Sequence, residues 1–282
     1  MQRSVKLPLR ILRLRFALLR MMSRRHSTLD LQTELARNDE APMTECRSND
    51  GEYCLSTRFW ASFAKQYWEN QPLVLKHPFA APITTTAQIF RAIVEARDEL
   101  GRAQKRHVRF FVDDEIHRSG VKRNLPRPTD GNFNGYRERI GQSLNGAGFG
   151  LVVVGYPEFD ARIRNRIRKF LRPLQHLVRP RVQSKTLLFL GDYKRTPVGI
   201  HKDPHGTFVF VIEGRKRFRA WPSAFFPDAE KITGQLRYRQ FLAGAITLEG
   251  AAGDLIYWPS SHWHIGEAVG SFSISLNVGV FS

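Results

Sequence analysis

Two short segments, about sixty residues apart, constrain the fold of this chain more than any other feature. The first, 201–203 (HKD), places His201 and Asp203 at alternate positions, and the second, 258–264 (WPSSHWH), ends on His264. Alternate side chains of a β-strand point to the same face, so the triplet predicts two ligands aimed at one point and a third on a facing strand. Two imidazoles and one carboxylate suit one face of an octahedral iron(II) ion and leave the other positions open for co-substrate and oxygen.

The residues around these segments have the composition of β-strands. Residues 207–213 (TFVFVIE) are rich in β-branched and aromatic side chains, and 215–221 (RKRFRAW) alternate basic with other residues. Gly214 lies between them, so we predict a hairpin over 207–221. Further strands are predicted over 73–76, 107–112, 149–154, 255–258 and 271–281.

The remaining segments predict helices and one long connection. Residues 57–105 hold two helical patterns around the strand at 73–76. Residues 113–135 are rich in proline, glycine, asparagine and charge, which predicts a loop. A loop of this length is often a functional lid, although a plain surface excursion is the other interpretation.

The residues alone do not fix which histidines are ligands. An isolated H-x-D triplet arises easily by chance, and His205 and His262 lie close to the two segments. A histidine beside two tryptophans is also more often a packed or surface residue than a ligand. Several pairings of these histidines with Asp203 therefore remain open at this point.

Residues 201–218 (HKDPHGTFVFVIEGRKRF) resemble the metal-binding segment of the JmjC-type oxygenases, which use iron(II) and 2-oxoglutarate. They are most similar to the asparaginyl hydroxylase that acts on hypoxia-inducible factor and to the ribosomal-protein hydroxylases. A second stretch, 253–259 (GDLIYWP), is also similar to the family. The resemblance covers roughly 180–282 well and 57–80 more loosely. It implies a mainly β fold with flanking helices, a double-stranded β-helix of the jelly-roll, cupin or JmjC-like kind.

The resemblance also implies roles for single residues. The family's distal histidine follows the proline by five residues, which selects His264 over His262 as the partner of His201 and Asp203. A lysine thirteen residues after the aspartate holds the distal carboxylate of 2-oxoglutarate, and Lys216 stands at that spacing. The resemblance thus implies a metal site formed by His201, Asp203 and His264. It also implies a co-substrate site formed by Lys216 and Asn277, to which we add Thr207.

Two of these co-substrate assignments have an alternative interpretation. Some relatives carry a hydroxyl residue near the co-substrate where this chain has Val198, and Thr207 is the replacement that we expect. Lys216 stands among Arg215, Arg217 and Arg219, so it could be one more solvated charge. We expect it to face inward, because the alternation of the preceding strand would place valines on one face and phenylalanines on the other.

Composition limits the architecture to one domain preceded by an arm. A chain of 282 residues can bury a sizeable core, and no run of about 18 apolar residues predicts a membrane span. We expect residues 1–56 to form a basic arm and a polar linker, and residues 57–282 to form the oxygenase domain. Two cysteines do not make a disulfide framework, so we expect a reducing cytoplasmic location, which also suits iron(II).

The net charge of +18 is concentrated in two segments. Residues 1–29 hold eight lysines and arginines and no acid, and they are open to three interpretations: an upstream extension, a transit-like or membrane-surface segment, or a tail that contacts a polyanion. Residues 161–181 predict an amphipathic helix with Asp160 as its N-cap.

The basic helix has both a structural and a functional interpretation. Arg162, Arg166 and Lys169 are predicted to point outward, either as a solvated face or as the landing site of an acidic peptide, a leader sequence or RNA. Nucleic acid is the less favoured partner, because no aromatic-interleaved RNA-binding motif is present.

The resemblance favours an iron(II)- and 2-oxoglutarate-dependent dioxygenase that uses oxygen to hydroxylate a protein or peptide side chain. Two other hypotheses stay open: a cupin-fold metalloenzyme that acts on a small molecule or RNA, and a non-catalytic cupin-fold binding module. Lys216 argues for the co-substrate enzyme over another metalloenzyme. The complete set of three ligands argues against a silent module.

Overall fold

The fold is that of a computed structural model, which describes residues 55–117, 120–178, 183–270 and 272–281. The expected basic arm and nearly all of the expected linker lie outside the described residues. The helices span Thr57–Gln66 (α1), Thr86–Glu95 (α2), Arg97–Arg102 (α3), Gln104–His107 (α4), Phe133–Ser143 (α5), Ala161–Val178 (α6) and Ala229–Ile232 (α7). The strands span Leu73–Leu75 (β1), Val108–Val112 (β2), Glu115–His117 (β3), Phe149–Val154 (β4), Ser184–Asp192 (β5), Gly206–Glu213 (β6), Arg215–Pro222 (β7), Ile246–Ala251 (β8), Leu255–Trp258 (β9), His262–Ala268 (β10) and Ser273–Val280 (β11).

The strands form two antiparallel sheets. The larger sheet has the order β1-β9-β6-β11-β5-β4-β2-β3, and the smaller has the order β10-β7-β8. Helices flank the larger sheet, so the prediction of a mainly β fold with flanking helices is confirmed. Within the described part of the chain, no helix combines the length and the apolar character needed to cross a membrane.

The predicted hairpin over 207–221 is wrong. Strand β6 pairs with β9 and β11 of the larger sheet, whereas β7 pairs with β8 and β10 of the smaller sheet. The chain changes sheets at Gly214, whose φ is +68° and where an added Cβ would lie 2.4 Å from the carbonyl oxygen of Phe272. Glycine is favoured there because other residues meet both the steric penalty of positive φ and this backbone contact.

The reason for the change of sheet is that β6 is apolar on both faces. Val209 and Val211 face the core between the sheets, which they share with residues of β7, β8 and β9. Phe208 and Phe210 point to the other side and pack against Phe170 of α6, with ring centroids 5.2 and 5.0 Å apart. A strand that is buried on both faces needs a cover on each, and here α6 supplies one cover and the smaller sheet the other.

Helix α6 agrees with its prediction from the sequence. Its buried residues recur at helical spacing, and they are Ile163, Ile167, Phe170, Leu171 and Leu174. Asp160 is the N-cap, since its Oδ1 accepts hydrogen bonds from the backbone N–H groups of Arg162 and Ile163. The amphipathic face therefore attaches the helix to β6 and leaves the opposite face, which carries most of the arginines, toward solvent.

The predicted loop over 113–135 is only partly irregular. It contains strand β3, two short 3-10 helices and the start of α5. Asp130 holds the segment together, because it accepts hydrogen bonds from the backbone of Arg127 and from the guanidinium of Arg139. Val121 and Leu125 are buried, so the segment has its own attachment to the core. Proline and glycine content alone did not indicate this anchoring.

Replacement of Gly214 by alanine should destabilise the fold at the crossing between the sheets. We expect a loss of about 1–3 kcal/mol in the free energy of unfolding, because the new Cβ meets a backbone oxygen at positive φ. Chemical denaturation measures it. Gly141→Ala is the matched control: a Cβ at this helical position meets nothing within 4 Å, so it should stabilise by about 0.5–1 kcal/mol. Equal stability of the two variants would contradict the role given to Gly214.

Candidate metal centre and co-substrate pocket

His201, Asp203 and His264 converge on one point. Each offers one ligand atom, and these atoms all lie within 4.8 Å of one another. His201 lies in an isolated β-bridge to His264, with reciprocal backbone hydrogen bonds of 3.0 and 2.8 Å. Asp203 follows in irregular backbone, and its Oδ2 is 3.5 Å from Nε2 of His264. The triplet is therefore not inside a regular strand, but a facing strand, β10, carries the other histidine as predicted.

The two imidazoles are oriented by backbone carbonyls. Nδ1 of His201 is 3.0 Å from the carbonyl oxygen of Gly199, and Nδ1 of His264 is 3.4 Å from that of His262. Because a carbonyl oxygen only accepts, these contacts place the ring proton on Nδ1 and leave the lone pair of Nε2 for a ligand. Burial and the neighbouring His201 lower the pKa of His264, which keeps this imidazole neutral, the form that binds metals.

The two alternative histidines lie outside this cluster. Nδ1 of His262 is 3.1 Å from the hydroxyl of Ser261, and burial lowers the pKa of His262 to about 4. Nδ1 of His205 is 3.1 Å from the hydroxyl of Thr207. His205 lines the same cavity as the cluster, whereas His262 does not. The geometry therefore groups Asp203 with His201 and His264.

A cavity of about 200 Å³ joins the cluster to the predicted co-substrate residues. All six predicted metal and co-substrate residues line it, namely His201, Asp203, Thr207, Lys216, His264 and Asn277. Thr207 contacts His205 as described above, and Oδ1 of Asn277 accepts a hydrogen bond from the hydroxyl of Ser275 at 3.1 Å. Two further basic residues, Arg109 and Lys185, also line the cavity.

Lys216 lies inside the protein and not on a solvated strand face. Its side chain is 2 % exposed, and its ammonium donates a hydrogen bond to the hydroxyl of Tyr193. Burial lowers the pKa of Lys216 to about 7 and raises the pKa of Tyr193, so the partner is a neutral phenol. A buried ammonium with a neutral partner is a strong site for an anion.

The sequence analysis missed three polar groups of this cavity. Tyr193 is one, and the others are the hydroxyl of Thr196 and the indole N–H of Trp258, which are buried without a hydrogen-bond partner. Buried polar atoms without partners are rare, and in a cavity they indicate a missing ligand or water. Tyr193 and Thr196 lie in an irregular segment after β5, which no pattern in the sequence marks.

The predicted surface residues of α6 lie outside the cavity. Arg162 and Lys169 are exposed. Arg166 is half-buried, and its guanidinium donates a hydrogen bond of 2.6 Å to the carbonyl oxygen of Ile83. None of the three is a lining residue of the metal cavity.

Solved structures that are similar to part of the chain include a ribosomal oxygenase and a vicilin. YcfD, a ribosomal oxygenase from Escherichia coli, is 18 % identical over 79 % of this chain and 53 % of its own, with a TM-score of 0.48. Its complex with cobalt and 2-oxoglutarate gives 18 % identity, 79 % and 51 % coverage, and a TM-score of 0.47. A vicilin from Solanum melongena gives 14 % identity, 46 % and 28 % coverage, and a TM-score of 0.29.

The chain spans about half the length of the YcfD structures that it matches. No curated protein sequence matches the chain significantly. A family model described as "JmjC domain" matches residues 164–282, which include every metal and co-substrate residue predicted from the sequence. The resemblance stated from the residues is confirmed over this range.

Proposed function

We propose that the protein is an iron(II)- and 2-oxoglutarate-dependent dioxygenase that hydroxylates a protein or peptide side chain. The observation that carries this proposal is one cavity that joins the His201, Asp203 and His264 cluster to the buried ammonium of Lys216. The cluster supplies one face of a metal site, and the lysine supplies a cation for a carboxylate. A co-substrate that chelates a metal at one end and carries a carboxylate at the other fits both.

The donor set suits iron(II). Two neutral imidazoles and a carboxylate leave part of an octahedral coordination sphere open, as non-haem iron oxygenases require. His201 and His264 would bind through Nε2, since each Nδ1 faces a carbonyl oxygen. With 2-oxoglutarate and oxygen, such an iron centre supplies oxidising power for hydroxylation while the co-substrate is converted to succinate and carbon dioxide.

The protein's own groups would bind and orient the dianion. Lys216 would meet its distal carboxylate, with Tyr193 beside the same ammonium. The hydroxyl of Thr196 and the indole N–H of Trp258 are two further donors without partners in the cavity. Asn277 is the co-substrate residue that the family resemblance adds, and Thr207 is the hydroxyl expected in place of the one that some relatives carry at the position of Val198. The cavity walls would exclude bulk water, which strengthens each of these charged contacts.

The choice of a protein substrate rests on the resemblance and on the name of one similar structure, the ribosomal oxygenase YcfD. A cupin-fold metalloenzyme without a co-substrate is the second candidate, because the His201, Asp203 and His264 cluster by itself does not require 2-oxoglutarate. Lys216 separates the two candidates. A metalloenzyme that needs no dicarboxylate has no use for a buried ammonium near its metal.

Loss of a ligand should abolish both metal binding and turnover. Asp203→Ala and His264→Ala should each weaken iron(II) binding by at least about 100-fold, since loss of an outer partner of a ligand alone costs about 10–100-fold. Anaerobic metal titration measures the affinity, and succinate formed from 2-oxoglutarate measures turnover. His262→Ala is the matched control and should retain the metal. Full iron affinity in Asp203→Ala would refute the assignment, and absence of succinate with the native protein would refute the proposed function.

Replacement of Lys216 should separate the co-substrate from the metal. Lys216→Met keeps the length of the side chain but removes its charge, so 2-oxoglutarate affinity should fall by about 10- to 100-fold, as for a lost charge-assisted hydrogen bond. Iron(II) affinity should change little. Anaerobic titrations of the two ligands measure both values. An equal loss of both affinities, together with a lower melting temperature, would indicate misfolding and contradict the specific role.

The binding of 2-oxoglutarate should depend on pH through Lys216. Its pKa is about 7 in the empty pocket because of burial, and a bound carboxylate should raise that pKa. Below pH 7 the lysine is already charged, so the affinity for 2-oxoglutarate should be constant. Above pH 7 the neutral lysine must take up a proton when 2-oxoglutarate binds, so the Kd should rise by up to about tenfold per pH unit. Titration with redox-inert manganese(II) between pH 6 and 8.5 measures this. A Kd that stays constant, or the same slope in Lys216→Met, would contradict it.

A further inference from the structure

Helix α6 carries a row of arginines on its solvent side, distinct from the side chains that attach it to the core. Arg164, Arg168 and Arg172 follow one another at intervals of four residues and are all exposed. Four residues of α-helix advance by about 6 Å, so the Cα atoms of these arginines follow one another at a regular spacing along the helix. The guanidinium of Arg164 also donates hydrogen bonds to the carbonyl oxygens of Pro157 and Glu158. No acidic residue occurs anywhere in α6.

The stripe lines two neighbouring surface cavities. One, of about 440 Å³, has Arg106, Arg164, Arg168 and Lys185 in its wall. The other, of about 540 Å³, has Arg168, Lys169 and Arg172 in its wall, and Arg168 therefore belongs to both. Glu158 is the single acidic residue that lines either cavity among the described residues. We call this surface the basic strip; its members are Arg106, Arg164, Arg168, Lys169, Arg172 and Lys185.

The basic strip continues to the metal cavity. Lys185, at the start of β5, lines the cavity that contains Arg164 and also the cavity that contains the metal cluster. Lys185 therefore places one cation of the strip at the wall of the metal cavity.

We propose that the basic strip binds the phosphodiester backbone of a single-stranded nucleic acid and directs that strand toward the metal cavity. A nucleic-acid strand carries one negative charge per nucleotide whatever its sequence, which matches a regular row of cations. Guanidinium groups bind phosphate oxygens in a bidentate manner, and arginines predominate in the strip. An acidic peptide carries charge only where an aspartate or glutamate occurs, whereas the strip presents six cations and its two cavities are lined by one acidic residue among those described, Glu158.

The chemistry of the strip also predicts the character of the binding. No tryptophan, tyrosine or phenylalanine lines either cavity, so the described surface offers no platform on which bases stack. Binding should therefore be nearly independent of sequence and strongly dependent on salt. It does not require the proposed oxygenase activity; only the delivery of a nucleic-acid-bound substrate to the metal rests on that function.

The test uses the full metal-free chain and a fluorescent twelve-nucleotide oligouridylate, titrated by anisotropy at several salt concentrations. The test variant is Arg164→Gln/Arg168→Gln/Arg172→Gln, and its Kd for the oligouridylate should be at least about tenfold higher than that of the native protein at low salt. Each lost phosphate contact should reduce the slope of log K against log salt by about 0.7, so the slope should flatten by about 2 in total. Lys185 is kept because it also lines the metal cavity. If the triple variant melts at a lower temperature than the native protein, Arg168→Gln replaces it, with a slope change of about 0.7.

The matched control removes three exposed cations outside the strip, in Lys231→Gln/Arg237→Gln/Arg239→Gln, and should keep its affinity within about twofold once the lost net charge is allowed for. Native affinity in the strip variant, or an equal loss in the control, would overturn the proposal, because binding would then come from another segment or from net charge. Displacement of the RNA by polyglutamate of equal charge as effectively as by unlabelled RNA would assign the strip to acidic peptides and overturn it as well. Succinate formation is measured separately, so failure of the proposed function would not be mistaken for failure of nucleic-acid binding.

Discussion

The double-sided burial of strand β6 is the constraint on which the rest of the structure depends. Its valines require a cover on one face and its phenylalanines require a cover on the other. The smaller sheet, which begins after the crossing at Gly214, covers the valines. Helix α6 covers the phenylalanines on the opposite face of β6. The smaller sheet also carries β10, and with it His264. The metal cluster is thus a consequence of the packing of an apolar strand, and not a separate addition to a finished fold.

Part of the ligand set was predictable from local chemistry and spacing, and the rest from the family resemblance. H-x-D brings two ligand types together, but the family resemblance was needed to select His264, which the structure places beside Asp203 while His262 lies elsewhere. The inward position of Lys216 was predicted from strand alternation and was found buried. These are properties of a few neighbouring residues, so a single sequence can carry them.

The sequence did not predict which strands pair with each other, or which polar side chains of irregular segments line the cavity. Alternation over 207–221 indicates two strands joined by a glycine, but it does not say whether they pair with each other or with distant strands. The decision depends on β9, β10 and β11, which follow much later in the chain. Tyr193 and Thr196 enter the cavity from a segment without periodicity, so only the three-dimensional fold reveals them. The anchoring of 113–135 by Asp130 depends likewise on Arg139, which lies in the next helix.

The electrostatics of the cavity favour anions over an empty state. The protein buries the ammonium of Lys216 against a neutral phenol and leaves the hydroxyl of Thr196 and the indole N–H of Trp258 without partners. Each of these groups is unfavourable in a dry interior, and burial of an unpaired donor typically costs about 1–3 kcal/mol. A dianion bound at Lys216 would recover part of that cost, because it supplies acceptors to the ammonium and to donors of the same cavity. Lys185 lines both the surface cavity beside α6 and the metal cavity, so it is a cation that the two share. Lys216 would then attract the co-substrate, while Asp203 and the two imidazoles keep the metal position suited to a cation.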